Sequence, residues 1–426
     1  MTGPAARPLG RPSEPEPPPP GVRVVLDARP LQEADRAPTT AAYLEGLLGA
    51  FDAEPIEGES FALFLQSDLD DPTVRYRRLD VIGRRLLPPT RLLRSGSMTV
   101  DPFLLRGASV GSAWRAGRSG AAGAVYHAAG GGTLPLASGL PVIVTLLDLA
   151  PWELPGSFQR TVATRFGQRL RGQLLRDARA VIVGTEAVAE AARRVLHLRH
   201  ERLRVIPFPP RAAFVSDGPD GRRERERLGL PERYLVYAGR FDARQDLATL
   251  LRAIADLGAA GRPAELPDDV AWPPRVLLVG ARPDDRASLA RIASREGVGD
   301  ALAYAPRLPD DRLAALVRGA RAAILPARSE AAGLAAIDAI ACGTPVVASA
   351  VGALPELVGS AGILVEPGEP QRLAVALRTV WLGGPVHDRL ARAAMDRATG
   401  PRPTWAAAAD ATRQVYADVG AGPGKV

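Results

Sequence analysis

Short apolar runs recur along the whole chain, each followed by a turn and then a segment with helical spacing. They lie at 22–26, 61–65, 124–127, 141–149, 180–183, 203–206, 234–238, 276–279, 302–305, 322–325, 346–348 and 362–365. A strand that regularly alternates with a helix has few solutions. The helices must cross over between parallel strands and cover both faces of the sheet. The expected class is therefore α/β with doubly wound parallel sheets. At 426 residues there is room for two such units. The rhythm breaks between Phe208 and Leu230, where Pro209-Pro210, Asp217-Gly218 and Gly221 read as an interdomain connection. Expected boundaries are a Pro-rich tail over 1–20, a first domain over 21–215, a second over 228–400 and a final helix over 401–419.

One stretch is dense in signals. Ala322-Ala323-Ile324-Leu325-Pro326 reads as a buried strand and leads to Glu330 and Gly333 at a bend. Leu334, Ile337 and Ala341 then give a helical face. Gly343 and Pro345 end that helix, and 346–348 form the next strand. A carboxylate and a flexible backbone thus lie just before a helix N-terminus, whose free N–H groups suit a phosphate. Asp338 follows Glu330 by eight residues, about 80° apart if both lay on one helix. With Glu330 on the preceding loop, both can reach one ligand. A second anion-binding pattern opens the second domain. The run 234–238 ends in Gly239-Arg240, and a helix starts near Asp246. Backbone N–H groups, helix dipole and guanidinium converge there.

The 329–349 stretch resembles the Glu-x7-Glu signature of family 4 glycosyltransferases, with Glu330 as the first Glu and Asp338 in place of the second. The resemblance runs over about 22–419 and implies the GT-B fold: two Rossmann-like domains facing a cleft, with the terminal helix crossing back onto the first. It implies a nucleotide-sugar donor, UDP- or GDP-linked, and no obligatory metal. It also implies transfer with retention to a glycan or lipid-linked acceptor. Glu330 and Asp148 are then the catalytic candidates, with Glu330 orienting sugar hydroxyls. Arg240, Arg244, Gln245, Gly333, Leu334, Asp338 and Gly352 are the nucleotide-sugar-binding candidates, Asp338 toward the ribose.

Four positions depart from the family pattern. The loop before the first helix, Arg36-Ala37-Pro38-Thr39-Thr40-Ala41-Ala42-Tyr43, lacks the usual Gly-rich turn. Leu147-Asp148 stands where His-Asp is usual, and leucine offers no hydrogen bond. Gln245 occupies the position of a Lys, with Arg244 beside it. Asp338 is one carbon shorter than Glu, about 1.5 Å. His127 either substitutes in part for the missing His or is a satisfied structural residue. Two functions follow: a retaining glycosyltransferase, or a catalytically degenerate relative that binds a sugar nucleotide or a partner.

Composition narrows the partners. The net charge is +7 with a single lysine, Lys425, so arginine carries the positive charge, spread along the chain. Aromatics are 5%, which argues against an aromatic-rich nucleic-acid surface. The segment 158–178, read as one helix, carries Arg160, Arg165, Arg169, Arg171 and Arg176. Such a face is either solvated or lies on an anionic membrane. A single cysteine, Cys342, excludes an internal disulfide, and four His with one Cys form no metal-ligand spacing. No run approaches the roughly 20 apolar residues that span a bilayer. The expected location is cytoplasmic, with the inner membrane face as a peripheral alternative.

Overall fold

The computed structural model describes residues 21–89, 100–107 and 123–420. The Pro-rich stretch 1–20 and parts of 66–120 lie outside them. The first sheet comprises β1 (Arg23–Asp27), β2 (Ser60–Gln66), β3 (Val81–Leu87), β4 (Ala124–Ala129), β5 (Val142–Thr145), β6 (Ala180–Val183) and β7 (Leu203–Val205). Their order is β3-β2-β1-β4-β5-β6-β7, and β1 runs parallel to both neighbours. The second sheet comprises β8 (Leu235–Ala238), β9 (Val276–Val279), β10 (Leu302–Ala305), β11 (Ala322–Leu325), β12 (Val346–Ser349) and β13 (Gly362–Val365), in the order β10-β9-β8-β11-β12-β13. The winding reverses between β1 and β4 in one sheet and between β8 and β11 in the other. Crevices at such reversals, outside the carboxyl ends of the strands, are where open α/β sheets bind ligands.

The central strands are short and almost wholly apolar because both faces are covered. They show no alternation of apolar and polar residues: Ile143, Val144, Val181 and Ile182 are each at most 1% exposed. Helix Pro38–Ala53 shows why sequence sets the covering. Pro38 fits the first turn, where its missing N–H costs nothing. Thr40, Tyr43, Leu44, Leu47, Leu48 and Phe51 then recur at helical spacing and are buried on the sheet. Each large apolar side chain contributes roughly 1.5–3 kcal/mol on burial.

Helix Trp405–Gly420 returns to the first domain. Ala408, Ala409, Val415 and Tyr416 belong to the same apolar core as β1 and helix Pro38–Ala53. Gly46 makes room for Trp405: a Cβ there would lie 2.1 Å from the indole. Tyr416 Oη meets His127 Nδ1 at 2.7 Å, and His127 Nε2 meets Thr145 Oγ1 at 2.9 Å. His127 is fully buried, and burial lowers its pKa to about 3. It is a neutral structural residue within the sheet, tied to the terminal helix.

Three local readings need correction. The strand expected over 141–149 ends at Thr145, and the chain turns into a short helix at Ala150–Glu153. The helix expected over 158–178 begins only at Val162, because Thr161 caps it by accepting from the Thr164 N–H at 3.1 Å. A further helix, Pro385–Thr399, precedes the crossing helix.

Candidate active site

The second domain supplies the cations. After β8 the chain turns through Gly239-Arg240 into Asp242, Arg244 and Gln245, and helix Leu247–Ala259 follows with Asp246 as its cap. Tyr237 Oη donates to the Arg240 carbonyl and fixes the turn. Asp242 accepts from Arg240 Nε at 3.0 Å and also from Arg244 Nη1. Arg240 reaches the first domain, donating to the Arg36 carbonyl at 3.2 Å.

Arg244 crosses the cleft. Its Nε and Nη2 donate to the two oxygens of Asp148 at 3.1 and 2.5 Å, and its guanidinium lies 4.6 Å over the Phe158 ring. Asp148 sits just beyond β5 and also accepts from the Ala150 N–H at 3.0 Å. Burial alone would raise its pKa. The Arg244 bonds and charge, with the Arg171 charge behind, outweigh that and hold it below the usual carboxylate range.

Glu330 closes the group. Its Oε1 accepts from the Gly333 N–H at 2.9 Å, which sets the carboxylate just before the start of helix Leu334–Ala341. Gly333 has φ +65°, a left-handed geometry that favours glycine. The Glu330 carbonyl accepts from Ala353 N–H at 2.9 Å, and a Cβ on Gly352 would lie 1.9 Å from that carbonyl oxygen. Burial raises the Glu330 pKa, the Gly333 N–H opposes this, and the Asp148 charge adds to it.

The two carboxylates of the signature stretch do not share partners. Asp338 is buried, and its oxygens accept from the Arg211 backbone N–H at 2.9 Å and Arg211 Nε at 2.8 Å. Arg211 comes from the interdomain connection, lies 4.2 Å over Phe214 and also pairs with Asp310. Burial raises the Asp338 pKa, and Arg211 opposes it. A cavity of about 20 Å³ lies beside them, lined by Val236, Ala335 and Ala339 among others. That is room for about one water.

Gln245 pairs through its backbone with Ala327, and its side-chain oxygen is buried without a partner among the described residues. Leu334 is buried in the first domain's core together with Ala332. Asp148, Arg240, Arg244, Glu330, Gly333 and Gly352 thus meet at the cleft, while Asp338 lies deeper with Arg211. The domains are further tied by Ser329 Oγ donating to Glu153 at 2.5 Å. Glu356 also accepts from the Ala187 N–H at 2.9 Å, capping helix Glu186–Leu196 across the interface.

Sequence reasoning missed Asp242, Arg211 and Glu356. Asp242, two residues past the Gly-Arg pair, carried a local signal; Arg211 is 127 positions from its partner and carried none. Among the described residues no group of three His, Cys, Asp or Glu could hold a metal ion, and no helix is long and apolar enough to cross a membrane.

Residues 220–397 match the family model described as glycosyl transferases, group 1. The chain is 36% identical over 240 residues to a D-inositol 3-phosphate glycosyltransferase of Streptomyces griseus, covering 53% of this chain and 48% of that one. It is 31% identical over 280 residues to one from Stackebrandtia nassauensis, covering 64% and 60%. The chain thus spans about half the length of the curated relatives it matches. Among solved structures, sucrose-phosphate synthase from Thermosynechococcus elongatus superimposes with a TM-score of 0.65 at 22% identity, covering 93% of this chain and 98% of that one. Anabaena HepE in complex with UDP gives 0.61 at 17% identity, covering 93% and 100%. The fold is GT-B, and its second domain carries the glycosyl transferases group 1 match.

Proposed function

We propose that the protein transfers a sugar from a nucleotide-sugar donor, UDP- or GDP-linked, to a glycan or lipid-linked acceptor, with retention at the anomeric carbon. The observation that carries this is the convergence of Arg240, Arg244, Glu330 and the Gly333 helix start where both sheets reverse their winding. Transfer from such a donor requires stabilising the diphosphate as it leaves, which is electrostatic work. Arg240 and Arg244 supply the countercharge as guanidinium groups. Glu330 orients sugar hydroxyls, Asp148 lies at the acceptor side, and Gly352 and the backbone at the Gly333-Leu334 helix start shape the phosphate end. Asp338, buried against Arg211 with room for about one water beside it, meets the ribose hydroxyls through that water.

A UDP donor is supported by the HepE complexes with UDP and with UDP-glucose. The relatives named for D-inositol 3-phosphate make a phosphorylated polyol an acceptor to test beside glycans and lipids. Peripheral contact with an anionic membrane, at its cytoplasmic face, is supported by helix Val162–Asp177. It exposes Val162 (74%) and Phe166 (54%) beside Arg165 and Arg169. The test is calorimetric titration with UDP-, GDP- and ADP-sugars, followed by transfer to D-inositol 3-phosphate and to lipid-linked sugars. Binding of one donor with transfer is expected. No binding across the panel contradicts the proposal, and binding without hydrolysis or transfer favours a non-catalytic sugar-nucleotide-binding protein.

A further inference from the structure

Behind Asp148 lies a guanidinium without a full set of partners. Arg171, on helix Val162–Asp177, is 2% exposed. Its Nη2 donates to the Gly130 carbonyl at 2.8 Å, and the group lies 4.9 Å from the Trp152 ring centre. Nε and Nη1 are buried with no hydrogen-bond partner among the described residues. Burial pushes its pKa down to about 10, against the opposing field of Asp148 and with the help of Arg244. A buried cation short of a counter-anion is costly. The carboxylate whose charge supports it is Asp148, which is bonded to Arg244 instead.

Asp148 therefore feels the charge of two guanidinium groups and is bonded to one. Arg244 is also the group that a diphosphate would claim. Its backbone is fixed, since its carbonyl accepts from Arg328 N–H at 2.6 Å and Ser329 N–H at 3.3 Å. An anion that takes Arg244 would leave the half-buried Asp148 with the Ala150 N–H but no cation, which is also costly. Both costs vanish if Asp148 shifts to the free donors of Arg171. The turn that Arg171 holds at Gly130 also lies against Asp148: a Cβ on Gly131 would be 3.4 Å from Asp148 Oδ2.

Resting on the proposed donor reading, we infer that Arg171 is a positioning residue: it receives Asp148 when the donor diphosphate takes Arg244. The exchange lets a donor bind in a cleft whose cations are already neutralised. It also carries the event to the Gly130 turn on the acceptor side of the first domain.

The test uses the full chain, titrated with inorganic pyrophosphate and with UDP, in wild type, Arg171→Met, Asp148→Asn and the double variant. Arg171→Met should weaken pyrophosphate binding about tenfold, whereas in the Asp148→Asn background it should change binding less than about twofold. Arg171→Lys, which keeps a charged donor, should bind within about threefold of wild type. Equal weakening in both backgrounds, no weakening in wild type, or failure of Lys to rescue overturns the exchange. Thermal melts check each variant, and Arg171→Gln in the same two backgrounds replaces Met should Met not fold. If wild type binds pyrophosphate with this pattern but no nucleotide, the exchange stands and the donor reading falls. If it binds neither, the exchange falls.

Discussion

Two arginines of the C-terminal half each hold both oxygens of a first-domain carboxylate, and both do so in the same way. Arg413 donates to both oxygens of Glu59 at 3.1 and 2.9 Å and lies 4.9 Å over Phe51. Arg244 donates to both oxygens of Asp148 and lies over Phe158. The surroundings differ. The Arg413 and Glu59 side chains are 3% and 4% exposed, and Arg413 also donates to Asp410 and the Glu54 carbonyl. That pair is saturated and enclosed in the core that holds the crossing helix. Arg244 and Asp148 are 15% and 16% exposed at the cleft, beside a second claimant in Arg171 and a shared carboxylate in Asp242. The same chemistry acts as a staple in one place and as an exchangeable contact in the other. What decides is whether a competing partner is within reach.

The largest expected effect breaks the staple. Arg413→Met leaves Glu59 buried without its cation and should cost about 3–5 kcal/mol, read by denaturant unfolding, with donor affinity of the folded protein little changed. At the cleft the balance should invert. On the proposed function, Glu330→Gln should lower transfer by about 10²–10³ with a near-normal melting temperature, since Glu330 is proposed to orient the sugar and Gln keeps an acceptor for the Gly333 N–H. Arg244→Ala should weaken UDP or GDP binding by at least about tenfold, the loss expected for one charged hydrogen-bonded contact, with little change in stability.

A smaller effect concerns His127 at the staple end. Its folded pKa, about 3, lies below its ordinary value of 6.5, so the unfolded chain binds the proton more readily. Its contribution to stability is therefore full above 6.5 and falls as pH drops from there toward 3. His127→Gln should flatten part of that slope in unfolding measured between about pH 7 and about pH 4.

The staple and the cleft were unequally legible in the sequence. Strand–helix alternation is a local pattern, so the two sheets and the ends of helix Leu334–Ala341 could be read directly; Gly343 ends that helix with φ +74°. Gly239-Arg240 and Glu330 could be read as candidates for an anion site because a glycine turn beside a charge is also local. The partners of those charges were not readable. Asp148 and Arg244 are 96 positions apart, Asp338 and Arg211 127, and Arg413 and Glu59 354. Only the folded chain decides which carboxylate each guanidinium meets. For the same reason Glu330 and Asp338, eight apart and expected to face one ligand, have separate partners. Helix geometry turns Asp338 toward the interdomain connection, whereas the loop turns Glu330 back onto its own helix start.

The most direct measurement is a calorimetric titration of UDP and GDP into wild type, Arg240→Ala and the Arg240→Ala/Arg244→Ala double variant, each checked by thermal melting. Wild type should bind one of the two nucleotides, Arg240→Ala should bind it clearly more weakly, and the double variant more weakly still, all with nearly equal melting temperatures. Equal affinity in all three would place the phosphate site elsewhere and contradict the assignment of this cleft.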